Sequence, residues 1–504
     1  MNRFGNIITI LLIAAYCCLR YWRLTDACIW FDEIYSIDAA SHGWNAVAGY
    51  AAADLVHPPL FYFVLKGWIA AGGDGILWLR MLPFVLAVFA VVPFISICRE
   101  LSISAAARNT ALLLIAVNGP LIKYAQEVRM YTMLQLMSLM SIWLFLRWTR
   151  REGSILPLAA VDLILVYTHY FGWLVIAAET VVVLWQHRAK ARIYILHLAV
   201  VAAAFVPWAA AVIMAARKGS DVGQNIGWMQ RPGPLELIQF ALDLIEPIYT
   251  QATNLDAVTN FSVTIPLLFV IAAAVGTGII FYLNNKERTL PQEGLMVAAA
   301  AVLPTIIAFV VSWCVPYSVW GTRHLIIVFM PVALLLGIAV DQIGKVWIRN
   351  SIFVAILLLS GCGLYAEYRS PKANNIWCAW PSSVEAAANN GADKIYTFED
   401  LVAYHAWFAV RERTIPQIIK LNGEDGIAED KAYFLPRGFD GVTTVNVSRI
   451  DGSPLWLMYR AKGVDVTTAP LARFAARGYT VTWSNVIPTD DGAAVAVRMQ
   501  RAEQ

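Results

Sequence analysis

Charged residues are scarce in this chain. Asp, Glu, Lys and Arg make up 14% of its 504 residues, against 59% hydrophobic residues and a mean hydropathy of +0.59. A soluble globular fold has no use for that much apolar surface, so that class is excluded. The net charge of +3 is small and no long basic run stands outside loop positions, which argues against a nucleic-acid partner. Cysteine is also sparse. The seven residues are odd in number, follow no framework spacing, and mostly sit in apolar runs (Cys17, Cys18, Cys98, Cys314, Cys362), so no disulfide scaffold is expected. No CxxC, HExxH or EF-hand pattern is present, and no P-loop, which leaves ATP-driven transport unsupported. Asp-x-Asp is missing too, and with it the usual metal clamp of soluble nucleotide-sugar transferases. Gly361-Cys362-Gly363 matches a relaxed dinucleotide fingerprint but lies in an apolar helix after no strand, so it reads as helix packing.

What the chain has instead is a series of apolar runs. They fall at 4–19, 81–97, 109–122, 130–146, 154–168, 172–186, 193–214, 261–283, 294–315, 324–341 and 350–366. By length these make about eleven membrane spans. The first has no small-residue cleavage site and reads as an uncleaved anchor, with Asn2-Arg3 favouring a cytoplasmic N-terminus. One set of connections is short and basic, with Arg99/Arg108, Arg147/Arg150/Arg151, Arg188/Lys190/Arg192, Lys286/Arg288 and Lys345/Arg349, and belongs in the cytoplasm. The alternate set comprises 20–79, 123–129, 168–173, 215–260 and 316–324, and is longer and richer in acidic and aromatic residues. Within the first outer loop, 57–71 is apolar but short, carries Lys66, and reads as an interfacial helix.

After residue 366 the composition turns polar, and 382–389, 394–398, 399–408, 455–459, 470–477, 480–484 and 493–498 alternate between helix and strand. The expected architecture is therefore an all-α polytopic membrane bundle over 1–366, with interfacial helices in the loop 20–79 and a second large outer loop at 215–260. A small α/β domain over 367–504 follows, placed outside the cytoplasm by the odd number of spans.

The chemistry gathers at one face. Trp30-Phe31-Asp32-Glu33 sets two neighbouring carboxylates beside aromatics at a membrane exit, a place that suits a proton acceptor. The plainer reading is a pair of acids at a helix start. Parity puts His57, Arg80, Gln126, Glu127, Arg129, His169, Tyr170, Arg323 and His324 at the same face as Asp32 and Glu33, although they lie far apart in sequence. Arg129 and Arg323 suit the binding of an anion, because a guanidinium fork matches two oxygens. Lys66, Arg20 and Arg23 are expected only to snorkel. Inside the spans, Asp162 and Glu179 are expected to face the bundle interior and pair with Ser, Thr or Tyr.

The ordered set Phe31-Asp32-Glu33, His57-Pro58-Pro59-Leu60-Phe61-Tyr62, Arg80-Met81-Leu82-Pro83, Tyr124-Ala125-Gln126-Glu127-Val128-Arg129-Met130-Tyr131, Thr168-His169-Tyr170-Phe171-Gly172 and Arg323-His324-Leu325 covers about residues 10–345. In order and spacing it resembles the polytopic glycosyltransferases of the protein O-mannosyltransferase and lipid A aminoarabinose transferase type, with the membrane glycosyltransferase C fold. The resemblance implies an integral plasma- or inner-membrane enzyme with an extracytoplasmic active site. Such an enzyme takes a sugar from a polyprenyl-phosphate donor and passes it to a cell-envelope lipid, glycan or protein. By that similarity Asp32 is the general base and Glu33 its helper, and the displacement inverts the anomeric centre. Arg129 and Arg323, with Arg80 and Lys123 as additions, hold the donor phosphate. His57, Tyr62, Gln126, Glu127, Tyr131, His169 and Tyr170 line the substrate pocket. No metal is expected to be required; His57, His169 and Glu127 are the candidate ligands for a zinc- or manganese-like ion, though their spacing is no recognised metal pattern.

Two rival readings stay open. A transporter or flippase of lipid-linked sugars would have the same bundle and use Asp162 or Glu179 for coupling. A binding subunit would use the terminal domain and keep the bundle as an anchor.

Overall fold

The apolar runs fold as helices in the computed structural model, which describes residues 3–151, 153–248, 259–284, 294–370, 374–424, 427, 433–490 and 492–501. Asn2, Lys286 and Arg288 lie outside the described residues. The first part of the chain runs α1 Arg3–Tyr21, α2 Phe31–Ser41, α3 Val47–Asp54, α4 Leu60–Gly72, α5 Ile76–Glu100, α6 Ala105–Val117, α7 Gly119–Tyr124 and α8 Tyr131–Arg150. It continues through α9 Leu156–Thr168, α10 Gly172–Gln186, α11 Ala191–Arg217, α12 Val222–Ile226, α13 Pro234–Asp243, α14 Phe261–Asn284, α15 Gly294–Cys314, α16 Ile326–Asp341 and α17 Val346–Arg369. Among the described residues, five segments are long and apolar enough to cross a membrane: α5, Arg188–Arg217, α14, α15 and α17. Shorter apolar helices, α6, α9, α10 and α16 among them, complete a polytopic bundle. Helix is the form such segments must take, because lipid offers the backbone no hydrogen-bond partners. Small residues let the helices close up: Gly337 of α16 backs onto Ala107 of α6 with no room for a side chain, and Gly363 meets the Pro247 carbonyl.

Three sequence expectations need correction. The run 109–122 is not one span. It breaks at Asn118, whose side chain accepts the Leu121 N–H at 3.0 Å and donates to the Asp243 carbonyl at 2.9 Å, so α7 starts in a new direction. Arg20 does not snorkel. It is fully buried and donates to the carbonyls of Tyr16, Ile115 and Ala116, tying α1 to α6. Two cysteines do pair: Cys28, in the first outer loop, is bonded to Cys378, with 5.3 Å between the Cα atoms. The other five cysteines are free, so spacing alone hid one bridge that spans 350 residues.

The terminal region adds α18 Ile376–Asn389, α19 Asp400–Val410 and α20 Leu471–Ala475 to six strands, β1 Lys394–Thr397, β2 Gln417–Asn422, β3 Thr443–Asn446, β4 Leu455–Ala461, β5 Tyr479–Thr489 and β6 Gly492–Arg501. The sheet order is β3-β2-β1-β4-β6-β5, parallel from β3 to β4 and antiparallel beyond. Strands β2 and β3 were not anticipated. This region packs directly on α2: Phe31 meets Tyr404 at 5.0 Å between rings, and the Tyr404 hydroxyl donates to Asp38 at 3.0 Å. With the Cys28–Cys378 bond, these contacts put the terminal sheet and the first outer loop on the same side of the bundle.

Candidate functional site

Helix α2 starts at Asp32-Glu33 because Trp30 is extended and the Glu33 carboxylate accepts its backbone N–H at 3.2 Å. Two acids in the first turn also suit the positive end of the helix dipole. From there the neighbours diverge. Glu33 is 1% exposed and turns inward, taking a two-pronged bond from Arg80 (Nη2 at 3.1 Å, Nε at 3.3 Å) and the Val128 N–H at 2.9 Å. Arg80 also donates to the carbonyls of Leu24, Ala27 and Cys28. All five guanidinium N–H groups are thereby engaged.

Asp32 turns outward. Its Oδ2 lies 3.3 Å from Arg323 and 3.9 Å from Arg129, and its side chain keeps 28% exposure. Arg129 is held from behind by the Asp32 carbonyl at 3.2 Å and the Ser36 hydroxyl at 3.1 Å. Arg323 lies over the Trp228 ring at 5.3 Å. Three helix ends and one loop thus bring a carboxylate and two guanidinium groups to one point.

Around it stand buried polar groups. His57, His169 and His324 form a cluster, with rings 5.3 Å apart from His57 to His169 and from His169 to His324. Burial, reinforced by the positive charge of Arg323 and, for His57 and His169, of Arg129, keeps all three imidazoles well below the usual histidine range and therefore neutral. Glu127 is pushed up to about 7, chiefly by burial and against the nearby Lys123, and neither carboxylate oxygen makes a hydrogen bond among the described residues. Tyr131 stacks its edge between Tyr124 and His324, and Tyr62 packs against Tyr35. The Tyr170 hydroxyl accepts from Trp208 Nε1 at 3.1 Å. Gln126 faces away from the site, donating to the Arg20 and Trp22 carbonyls at the end of α1.

Asp54, at the end of α3, was missed in the sequence. Its Oδ1 accepts from Asn225 at 2.8 Å and its Oδ2 lies 3.6 Å from His57. Burial, helped by the Asp32 charge, pushes it up to about 7. Nothing in its surroundings in the chain, Ala53-Asp54-Leu55, marks it out. An apolar groove of about 690 Å³ runs between the ends of α1 and α17, lined by Trp22, Leu364, Tyr365 and Tyr368 among others.

No protein-family model matches this chain, and no curated protein matches it. Solved structures do. The crystal structure of ArnT from Cupriavidus metallidurans bound to undecaprenyl phosphate superposes over 97% of both chains with a TM-score of 0.59 at 12% identity. Its apo form gives 0.58 at 13% identity over the same shares. The chain has the membrane glycosyltransferase C fold. At that identity the likeness speaks for the fold, and the chemistry must be argued from this chain's own residues.

The donor set bears on metal in this C-type fold. His57, His169 and His324 offer ligand atoms within 4.8 Å of one another, a set that suits zinc, and Glu127 is not part of it. His57 has both ring nitrogens unpartnered among the described residues. His169 is less ready, because its Nδ1 accepts the Phe171 N–H at 3.1 Å, which leaves the proton of the neutral ring on Nε2.

Proposed function

We propose that this protein is an integral-membrane glycosyltransferase that moves a sugar from a polyprenyl-phosphate donor to an acceptor outside the cytoplasm. The observation that carries the reading is Asp32, a part-exposed carboxylate held between Arg129 and Arg323 at one face of the bundle. The two guanidinium groups share the Asp32 carboxylate as their anion. A donor phosphate offers them two oxygens in its place. Asp32 is then free to take the acceptor hydroxyl proton as the acceptor oxygen attacks the anomeric carbon. The bond from that carbon to the lipid phosphate breaks, and the phosphate leaves with its charge held by Arg129 and Arg323. One displacement of this kind inverts the anomeric centre.

Glu33 and Arg80 take a different part in this reading. Both are committed to one another and to backbone groups, so they fix the start of α2 and with it the direction of Asp32. His57, Tyr62, Glu127, Tyr131, His169 and Tyr170 surround the sugar, with Lys123 near Glu127. A zinc-like ion, when bound by the imidazole cluster, would supply further positive charge beside the phosphate. The polyprenyl chain lies in the apolar groove between α1 and α17, next to the loop that carries Arg129. The disulfide from Cys28 to Cys378 fits an oxidising, extracytoplasmic side for this face.

The test is turnover of a panel of polyprenyl-phosphate sugars by purified protein in nanodiscs, with Asp32→Asn alongside. Consumption by wild type and not by the variant supports the reading; equal consumption by both removes Asp32 as base. The transporter alternative draws only on Asp162 and Glu179, which face the bundle interior with Ser141 and Tyr194, midway along α9 and α10.

A further inference from the structure

One buried polar cluster is left without a part in this chemistry. Four consecutive helices build it: Ser141 from α8, Asp162 from α9, Glu179 from α10, and Tyr194 and His197 from α11. All five residues are buried, and the side chains of Asp162 and His197 have 0% exposure. No Lys or Arg pairs with either carboxylate among the described residues. Two carboxylates in such a place need a positive partner.

The geometry says what kind. Ser141 Oγ stands 2.6 Å from both Asp162 Oδ1 and Glu179 Oε1, yet a hydroxyl has one proton to give. The second carboxyl must bring its own proton to the Ser141 oxygen, or both carboxylates must face a shared cation. His197 Nε2 stands 2.9 Å from Asp162 Oδ2, and neither atom makes a hydrogen bond, nor does His197 Nδ1. Two lone-pair atoms so close, and not directed at one another, are placed as ligands of a common third atom. Ligand atoms of Asp162, Glu179 and His197 all lie within 4.8 Å of one another. Ligands about 2.0–2.2 Å from one ion stand roughly 3 Å apart.

We propose that Asp162, Glu179 and His197 bind a divalent cation of the zinc or manganese type inside the helix bundle. One imidazole and two carboxylates match the taste of those ions, and the two negative charges cancel the ion's own. The ion ties α9, α10 and α11 together, two turns of helix below His169, and so fixes the turn that carries His169 and Tyr170. It is separate from the imidazole cluster at the outer face, which shares no ligand with it.

The experiment is elemental analysis of tag-free protein purified without added metal. The variant His57→Gln/His169→Gln/His324→Gln is expected to keep one equivalent of zinc or manganese, and Asp162→Asn/Glu179→Gln to lose it. X-ray absorption on the first variant should show one imidazole nitrogen among oxygen ligands. Should the second variant fail to fold, chelator-stripped wild type and the outer triple variant decide: zinc or manganese must raise the Tm of both. Absence of metal from the outer triple variant, together with a Tm that neither ion moves, overturns the proposal and leaves a shared proton as the link between the carboxyls.

Discussion

The outer face and the bundle interior use the same acidic and imidazole side chains under opposite conditions. At the outer face Asp32 meets Arg129 and Arg323, and Glu33 meets Arg80. In the interior Asp162 and Glu179 meet, among the described residues, no guanidinium, only Ser141, Tyr194 and His197. Within the outer face the same contrast recurs over one residue. The Asp32–Arg323 pair keeps 28% and 20% side-chain exposure, whereas the Arg80–Glu33 pair keeps 2% and 1%. A half-open pair can exchange one anion for another; a closed pair cannot without leaving a charge stranded. In the proposed reaction, accessibility, more than residue type, separates the group that works from the group that positions it.

The strongest way to break this comparison is to treat the two regions alike. Asp32→Asn should lower turnover of the sugar donor by about a hundredfold or more, the usual scale for a lost general base. Ser141→Ala, in the interior, should leave turnover unchanged and lower the Tm. Equal losses of turnover in both would mean that the outer face has no special part. Next in size is Glu33→Gln. It strips a buried guanidinium of its counter-charge and should cost about 3–5 kcal/mol of stability, read as a drop in Tm. A variant that keeps its Tm and loses only turnover would move Glu33 beside Asp32 and erase the contrast between the neighbours. Smaller again, Arg323→Gln removes one charged hydrogen-bond partner of the phosphate, worth about 1.5–3 kcal/mol. The donor KM should rise roughly tenfold to a hundredfold, since each 1.4 kcal/mol is about a factor of ten. An unchanged KM with a lower kcat would mean that Arg323 meets the phosphate only as its charge develops in the transition state.

Much of this was legible in the sequence, and the rest was hidden for definable reasons. Apolar runs show their length directly, so the helices fall where expected. The break at Asn118 does not show, because its partners are Leu121 in α7 and Asp243 at the end of the distant α13. Asp32, Arg129 and Arg323 could be placed together by parity, yet Glu33 and Arg80 could not be told from them, because burial is invisible in a list of residues. Strand β3 is short and polar, and in β2 the adjacent Ile418 and Ile419 break the alternation that marks a strand. The Cys28–Cys378 bridge and the meeting of His197 with Asp162 join residues on separate elements, and a lone histidine in an apolar helix reads as packing.

Glu127 is where the comparison can be sharpened, because it sits at the outer face under interior conditions. It is buried, its carboxylate makes no hydrogen bond among the described residues, and it is pushed from the ordinary 4.5 up to about 7. Between those two values the folded chain holds a proton that the unfolded chain has released. Stability from this group is therefore complete below about pH 4.5, declines as the pH rises, and is gone above about pH 7. Measured as Tm against pH, wild type should lose stability over that window relative to Glu127→Gln, which has no proton to release. The two curves should run parallel above pH 7. Parallel curves throughout would mean that Glu127 is already charged in the fold, satisfied by Lys123 and Arg323, and that it does not share the conditions of the interior carboxyls.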